Sequence, residues 1–160
     1  MENPEKQENA PFGAEQHVIF WLHDELFSFE IALAQEITEL LELNEVPMSP
    51  DFIAGAVNLH SRVIGVLSLS RFFEVPSHEK SELSRIIVLA MKGYSAGFLV
   101  DNVKEISFLP AEGEGVGNLM EGESFKSKYV KRVVTLKDFL VNVLDVKKLL
   151  DDLKDYFKEN

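Results

Sequence analysis

Four histidines, His17, His23, His60 and His78, are the residues best suited to proton transfer or metal binding. They are scattered along the chain. None sits in an H-E-x-x-H pattern, which would put two imidazoles and a carboxylate on neighbouring turns of one helix. His17 and His23 can approach each other across a hairpin, but no third ligand is evident, so the histidines read as unrelated surface imidazoles. Cysteine is absent, which removes thiolate nucleophiles, thiolate metal sites and disulfides. A serine nucleophile needs a base beside it, and no G-x-S-x-G elbow is present. Gly113-Glu114-Gly115-Val116-Gly117 lacks the Lys-Ser/Thr ending of a phosphate loop, and Glu112 and Glu114 repel an anion. The same glutamates, with Glu121 and Glu123, lack the fixed oxygen spacing of a calcium loop. With 27 acidic residues in the chain, any chosen carboxylate pair says nothing without geometry. These residues predict a binding protein with no catalytic, cofactor or metal site. A β-barrel enzyme is the alternative from a different class.

The chemistry that is missing shifts attention to the elements. A chain of 160 residues, 46% of them apolar, fits one domain or two small subdomains on a common core. Its net charge of −11 repels phosphate backbones and anionic membrane surfaces. The one basic cluster, Lys126, Lys128, Lys131, Arg132 and Lys137, reads as a charged strand edge rather than a nucleic-acid site. The polar, acidic residues 1–16 read as a disordered tail without the apolar centre of a signal peptide. No stretch is long enough to span a membrane. A cytoplasmic protein with no nucleic-acid partner and no membrane insertion is expected.

Aromatic and branched runs predict strands at 17–22 and 26–31, paired through His23-Asp24-Glu25. Residues 32–41 mix periods and read as a short helical or irregular crossing. Ser49-Pro50 reads as the start of a turn that Gly55 ends. Further strands are predicted at 56–60 and 63–69 around Ser61-Arg62, then at 85–91, 96–101 and 103–109. A charged loop runs through Pro76 to Ser84, and residues 111–124 form a glycine- and glutamate-rich loop. Strands at 129–136 and 139–144 precede an amphipathic helix, N-capped by Asp145, with Val146, Leu149, Leu150, Leu153 and Phe157 on one face. Eight to ten short strands with frequent turns predict a mainly β fold, a barrel or pair of barrels with the last helix packed on it.

Three stretches in order carry a resemblance: Phe27–Leu40 with Gln35-Glu36-Ile37 at its centre, Pro47–Leu59, and Gly97–Ile106. Together they resemble the CheW family of chemotaxis coupling proteins. Pro47-Met48-Ser49-Pro50-Asp51-Phe52-Ile53-Ala54-Gly55-Ala56-Val57-Asn58-Leu59 is similar to its P-x-x-P-x-F-I-x-G-x-x-N-L-R-G signature. Gly97–Ile106 is similar to its G-x-x-V-D-x-V-x-E-V segment. The resemblance spans about His17 to Leu150 and closes on a Leu-Asp-Val-x-x-Leu-Leu helix. It implies two intertwined, five-stranded SH3-like β-barrel subdomains around a shared core within one domain, residues 17–158. It implies a non-enzymatic adaptor, recruited to membrane receptor arrays. Its partners would be the regulatory domain of a CheA-type histidine kinase and the cytoplasmic tip of methyl-accepting chemotaxis receptors.

Matched position by position, Glu36 and Ile37 fall in the family's partner-facing segment, and Val100, Asp101 and Val103 in a strand–turn unit of the other subdomain. For Ile37, Val100 and Val103 the competing reading is core packing, and for Asp101 it is a turn carboxylate bonding its own backbone. The chain departs from the family after Asn58-Leu59. The Arg-Gly slots hold His60 and Ser61, a usual proline is Gly65, and a usual aspartate is Ser68. A guanidinium is always charged whereas imidazole is not. If the segment stays extended, Arg62 faces the same way as residue 60 and supplies the displaced charge. The competing reading of Arg62 is a solvated turn residue. The departures leave a second adaptor reading open: a divergent, accessory paralogue that binds one partner or serves another pathway.

Overall fold

The computed structural model describes residues 13–76, 80–111 and 126–157. Among them, ten strands form two five-stranded sheets. The first sheet has the order β8-β1-β2-β10-β9. Its members are β1 (Glu15–Leu22), β2 (Glu25–Glu30), β8 (Asn102–Leu109), β9 (Val130–Leu136) and β10 (Phe139–Leu144). The second sheet has the order β3-β6-β7-β5-β4. Its members are β3 (Ala34–Glu39), β4 (Ile53–Leu59), β5 (Arg62–Ser68), β6 (Arg85–Met91) and β7 (Tyr94–Val100). The second sheet is thus one continuous piece of chain set between β2 and β8 of the first. The ladders are antiparallel apart from β2–β10 and β5–β7.

Each sheet buries apolar side chains on both faces, which explains why its strands read as unbroken apolar runs rather than alternations. In β1, Val18, Phe20 and Leu22 enter the core shared by the sheets, and Ile19 enters a separate cluster with Leu26, Val141 and Val143. In β6, Ile87 and Leu89 join the shared core, and Ile86 and Val88 join a third cluster with Val57, Ile64 and Val66. Aromatic rings knit the shared core together. Phe29 of the first sheet meets Phe98 of the second edge-on at 6.0 Å, and Phe27 stacks on Phe73 at 5.6 Å. Each such pair adds roughly 0.5–1.5 kcal/mol beyond burial alone.

Neither sheet closes through a full ladder among the described residues. In the second, one antiparallel bridge ties the chain beyond β3 to β4: Asn44 and Ala56 exchange two backbone hydrogen bonds of 2.8 Å. In the first, the Arg132 guanidinium reaches from β9 to the carbonyl of Pro110, just past β8, at 3.2 Å.

Helix α1 (Leu69–Phe72) follows β5, with Ser68 accepting from the Arg71 amide at 3.4 Å. The serine in the family's aspartate slot is therefore an N-cap, a position both residue types fill. Helix α2 (Val146–Leu153) ends the fold. Asp145 caps it by accepting from the Lys148 amide at 3.1 Å, and Val146, Leu149, Leu150, Leu153 and Phe157 are buried, as the periodicity predicts. Gly65, in the family's proline slot, lies under Phe157: a Cβ there would sit 3.1 Å from the ring.

Several local expectations are corrected. Residues 34–39 form a strand, β3, not a helical crossing, because pairing with β6 supplies backbone partners that the mixed pattern does not announce. Gly55 does not end a turn. It sits inside β4 at a bulge, with φ +147°. Strand β1 begins at Glu15, two residues before the expected boundary, because Glu15 and Gln16 pair with Leu109 and Phe108. Residues 1–12 of the expected tail lie outside the described residues, as do the acidic loop around 112–124 and His78.

Gly55 meets two constraints at once: positive φ, and a neighbour so close that a Cβ would lie 2.7 Å from the Asn44 carbonyl oxygen. Gly55→Ala should destabilise the protein by about 1–3 kcal/mol in urea unfolding. Tyr129, buried and donating to Asp152 at 2.8 Å, has its phenol pushed up to about 12, first by burial and then by Asp152. A raised folded pKa adds stability below pH about 10 that is lost as pH rises toward 12. Tyr129→Phe should remove that part of the alkaline decline in unfolding free energy.

Candidate functional site

The β4–β5 connection is a two-residue turn. His60 and Ser61 both adopt the left-handed region, with φ of 52° and 64°. Two consecutive positive φ values mark a type I′ hairpin turn, whose twist matches the flanking strands and which favours Asn-Gly. The expectation of an extended path through residue 60 is therefore overturned: Arg62 pairs with Leu59 as the first residue of β5. Residues 60 and 62 do not share one strand face. The Arg62 guanidinium turns to the Ser95 hydroxyl at 3.2 Å.

The turn projects the exposed His60 toward β3. Its Nε2 lies 3.0 Å and 3.2 Å from the two carboxylate oxygens of Glu36. This contact joins opposite edges of the second sheet, β3 and the β4–β5 hairpin. Glu36 and His60, 24 residues apart, are thus brought together at the surface. Arg62, two residues further on, adds a permanent positive charge to the same hairpin.

The other residues singled out in the sequence lie elsewhere. Val100 is buried in the shared core, and Ile37 and Val103 pack against its margin, so the core reading applies to all three. Asp101 stands where the chain leaves the second sheet for the first. Its carboxylate accepts from the His23 amide at 2.7 Å, and its own amide donates to the Trp21 carbonyl at 3.1 Å. It therefore holds the β1–β2 turn, 78 residues away, rather than its own turn. His23 has φ 58° in that turn.

Of the basic cluster, Lys131 pairs with Glu30 at 2.7 Å, and Arg132 is tied to Pro110. Both lie on β9, an edge strand, in keeping with the charged-edge reading.

His17 is not a surface imidazole. It is fully buried, with Nδ1 3.1 Å from the Ser28 hydroxyl. Burial lowers its pKa, against the opposing pull of Glu30, and the Arg132 charge lowers it further. Burial, the largest single influence, would raise the Glu30 carboxyl, but the hydrogen bond and charge of Lys131, a backbone hydrogen bond and the neighbouring His17 together hold the group below its usual range. Glu15 and Glu30 flank His17, with one ligand-capable atom from each of the three within 4.8 Å of the others. Sequence reasoning missed this group. Residues 15 and 17 share a strand face by alternation, but only the β1–β2 register sets Glu30 opposite His17.

A sequence profile of the CheW-like domain matches residues 16–154, nearly the whole described fold. The chain belongs to the CheW-like domain family. It is 25% identical to the "Chemotaxis protein CheW" of Thermotoga maritima over 134 residues, 84% of this chain and 86% of that protein. It is 22% identical to the protein of the same name from Bacillus subtilis, covering 86% of this chain and 87% of that one. The crystal structure of the scaffolding protein TtCheW from Thermoanaerobacter tengcongensis superposes with a TM-score of 0.73 at 26% identity, covering 82% of this chain and 89% of that one. The two-subdomain, mainly β architecture expected from the resemblance is the observed one, and CheW-like proteins are scaffolds and adaptors rather than enzymes. No helix among the described residues is long and apolar enough to cross a membrane.

Within this family frame, the His60-Ser61 departure has a local cost. Serine in the left-handed region loses roughly 1 kcal/mol or more relative to glycine. Ser61→Gly should raise stability by about 0.5–1 kcal/mol, read as a shift of the urea midpoint at unchanged slope.

Proposed function

We propose that this CheW-like adaptor couples methyl-accepting chemotaxis receptors to the regulatory domain of a CheA-type histidine kinase. It would act at receptor arrays on the cytoplasmic side of the membrane. The observation that carries the reading is the Glu36–His60 contact. It places a paired acid and base on an exposed edge of the second sheet, on the segments that resemble the family's partner-facing motifs. Support comes from the profile match over residues 16–154 and from relatives named chemotaxis protein CheW. An adaptor of this kind needs complementary surfaces of moderate affinity, since several weak contacts in an array combine into strong attachment.

Glu36, His60 and Arg62 are assigned to the partner surface. Ile37, Val100 and Val103 contribute through the shared core rather than at the surface, and Asp101 through its hold on the β1–β2 turn. Arg62 supplies the permanent charge that the family carries at position 60, displaced to the far side of the turn.

A second reading, a divergent paralogue that binds a single partner, is favoured by one observation: an imidazole and a strained serine occupy the Arg-Gly positions. Co-sedimentation with receptor fragments in one arm, and capture by the isolated kinase regulatory domain in the other, separates the two. Retention in both arms supports coupling, retention in one arm supports the paralogue, and retention in neither overturns the adaptor reading. In the same assay Arg62→Ala should weaken kinase-domain binding by about threefold to tenfold, and His60→Arg should strengthen it. Unchanged affinity in Arg62→Ala removes the charge assignment.

A further inference from the structure

The group formed by Glu15, His17 and Glu30 lies where β1 begins and β2 ends, on the first sheet, whereas Glu36 and His60 belong to the second. His17 opposes Glu30 across the β1–β2 ladder. Its Nδ1 is engaged by the Ser28 hydroxyl, while its Nε2 is buried and has no hydrogen-bond partner. A buried, unpaired imidazole nitrogen is costly unless something binds it. Burial favours the neutral ring. With the proton on Nδ1, donated to Ser28, the Nε2 lone pair is free. Glu30 accepts from Lys131 through Oε1. Glu15 is exposed, and a cleft of about 700 Å³ lined by Glu15, Glu30, Phe108, Lys131 and Asp145 opens onto both carboxylates.

We propose that Glu15, His17 and Glu30 form a binding site for one divalent transition-metal ion of the zinc class. One imidazole nitrogen and two carboxylate oxygens match the donors that Zn²⁺ accepts, at about 2.0–2.2 Å each. Magnesium and calcium prefer all-oxygen shells, so the imidazole sets the class. Ligand atoms within 4.8 Å of one another need to close by only about 1 Å to share one ion, and Glu15 at the surface can move. Ser28 holds the second ring nitrogen, the outer-shell support usual for a metal-bound histidine. Lys131 and Arg132 oppose the ion. The Arg132 guanidinium is drawn toward Pro110. The Lys131 ammonium occupies Glu30 when the ion is absent and leaves it when the ion binds. Bound metal would pin the start of β1 to the end of β2.

The test uses the full, untagged chain, stripped with chelator and dialysed against ZnCl2 or CoCl2. One equivalent should bind, with tetrahedral cobalt absorption and a perturbed His17 Nε2 resonance. Glu15→Gln, at an exposed position, should lose about tenfold or more in affinity while its metal-free melting stays unchanged. Lys131→Ala should bind about twofold to fivefold more tightly, in line with release of an exposed ion pair. The proposal is overturned by absence of stoichiometric binding, by equal affinity in wild type and Glu15→Gln, by weaker binding in Lys131→Ala, or by magnesium competing on equal terms with zinc.

Discussion

Everything in this fold depends on burying both faces of both sheets. A five-stranded sheet of about 35 residues has too little surface to form a stable core with one face alone. Here one face of each sheet fills its own small cluster, and the other faces combine in the aromatic core around Phe20, Phe27, Phe29 and Phe98. Helix α2 seals that core with Leu149, Leu150 and Leu153. The side chains left at the surface are those at hairpin turns and sheet edges, because the strand interiors are committed to packing. That is why Glu36 and His60, rather than Val100 or Val103, meet at the surface.

Much of this was legible in the sequence wherever a local run decided the outcome. The strands of 17–22, 85–91 and 139–144 are continuous apolar runs, and the buried face of α2 follows from its spacing. Strand β3 was not legible, because Ala34-Gln35-Glu36-Ile37-Thr38-Glu39 is half-exposed on a sheet edge and its pattern is set by pairing with β6. Gly55 looked like punctuation, but its role is set by the Asn44 carbonyl eleven positions earlier. The candidate site was legible only in part. Family motifs pointed to Glu36 and to position 60, but not to the turn that aims one at the other. His17 looked like a surface residue because nothing local shows that Ser28 and Glu30 enclose it.

The exchange of Arg-Gly for His60-Ser61 leaves the hairpin standing and changes its chemistry. The backbone is left-handed at both positions, held by the ladder between β4 and β5. The turn carries a contact to Glu36 through an imidazole. Where the resembled motif has a fixed five-donor fork, this turn has a ring with two nitrogens, so the pair offers fewer donors. Gly65 and Ser68 are different in kind. One admits Phe157 and the other caps α1, so both departures are absorbed inside the fold.

The insertion of one sheet into the other also bears on how the chain is made. Strands β3 to β7 are consecutive and can pair as soon as they leave the ribosome. The β1–β2 hairpin is synthesised first, yet its neighbours β8 and β10 arrive some 80 to 110 residues later. Until then Phe20, Phe27 and Phe29 have a half-built core, and the hairpin has two open edges. Asp101 is the residue at which that wait ends: it grips the His23 amide just as β8 begins. The nascent protein therefore carries its stickiest segment for most of its synthesis, and the later strands act on it as an internal chaperone would.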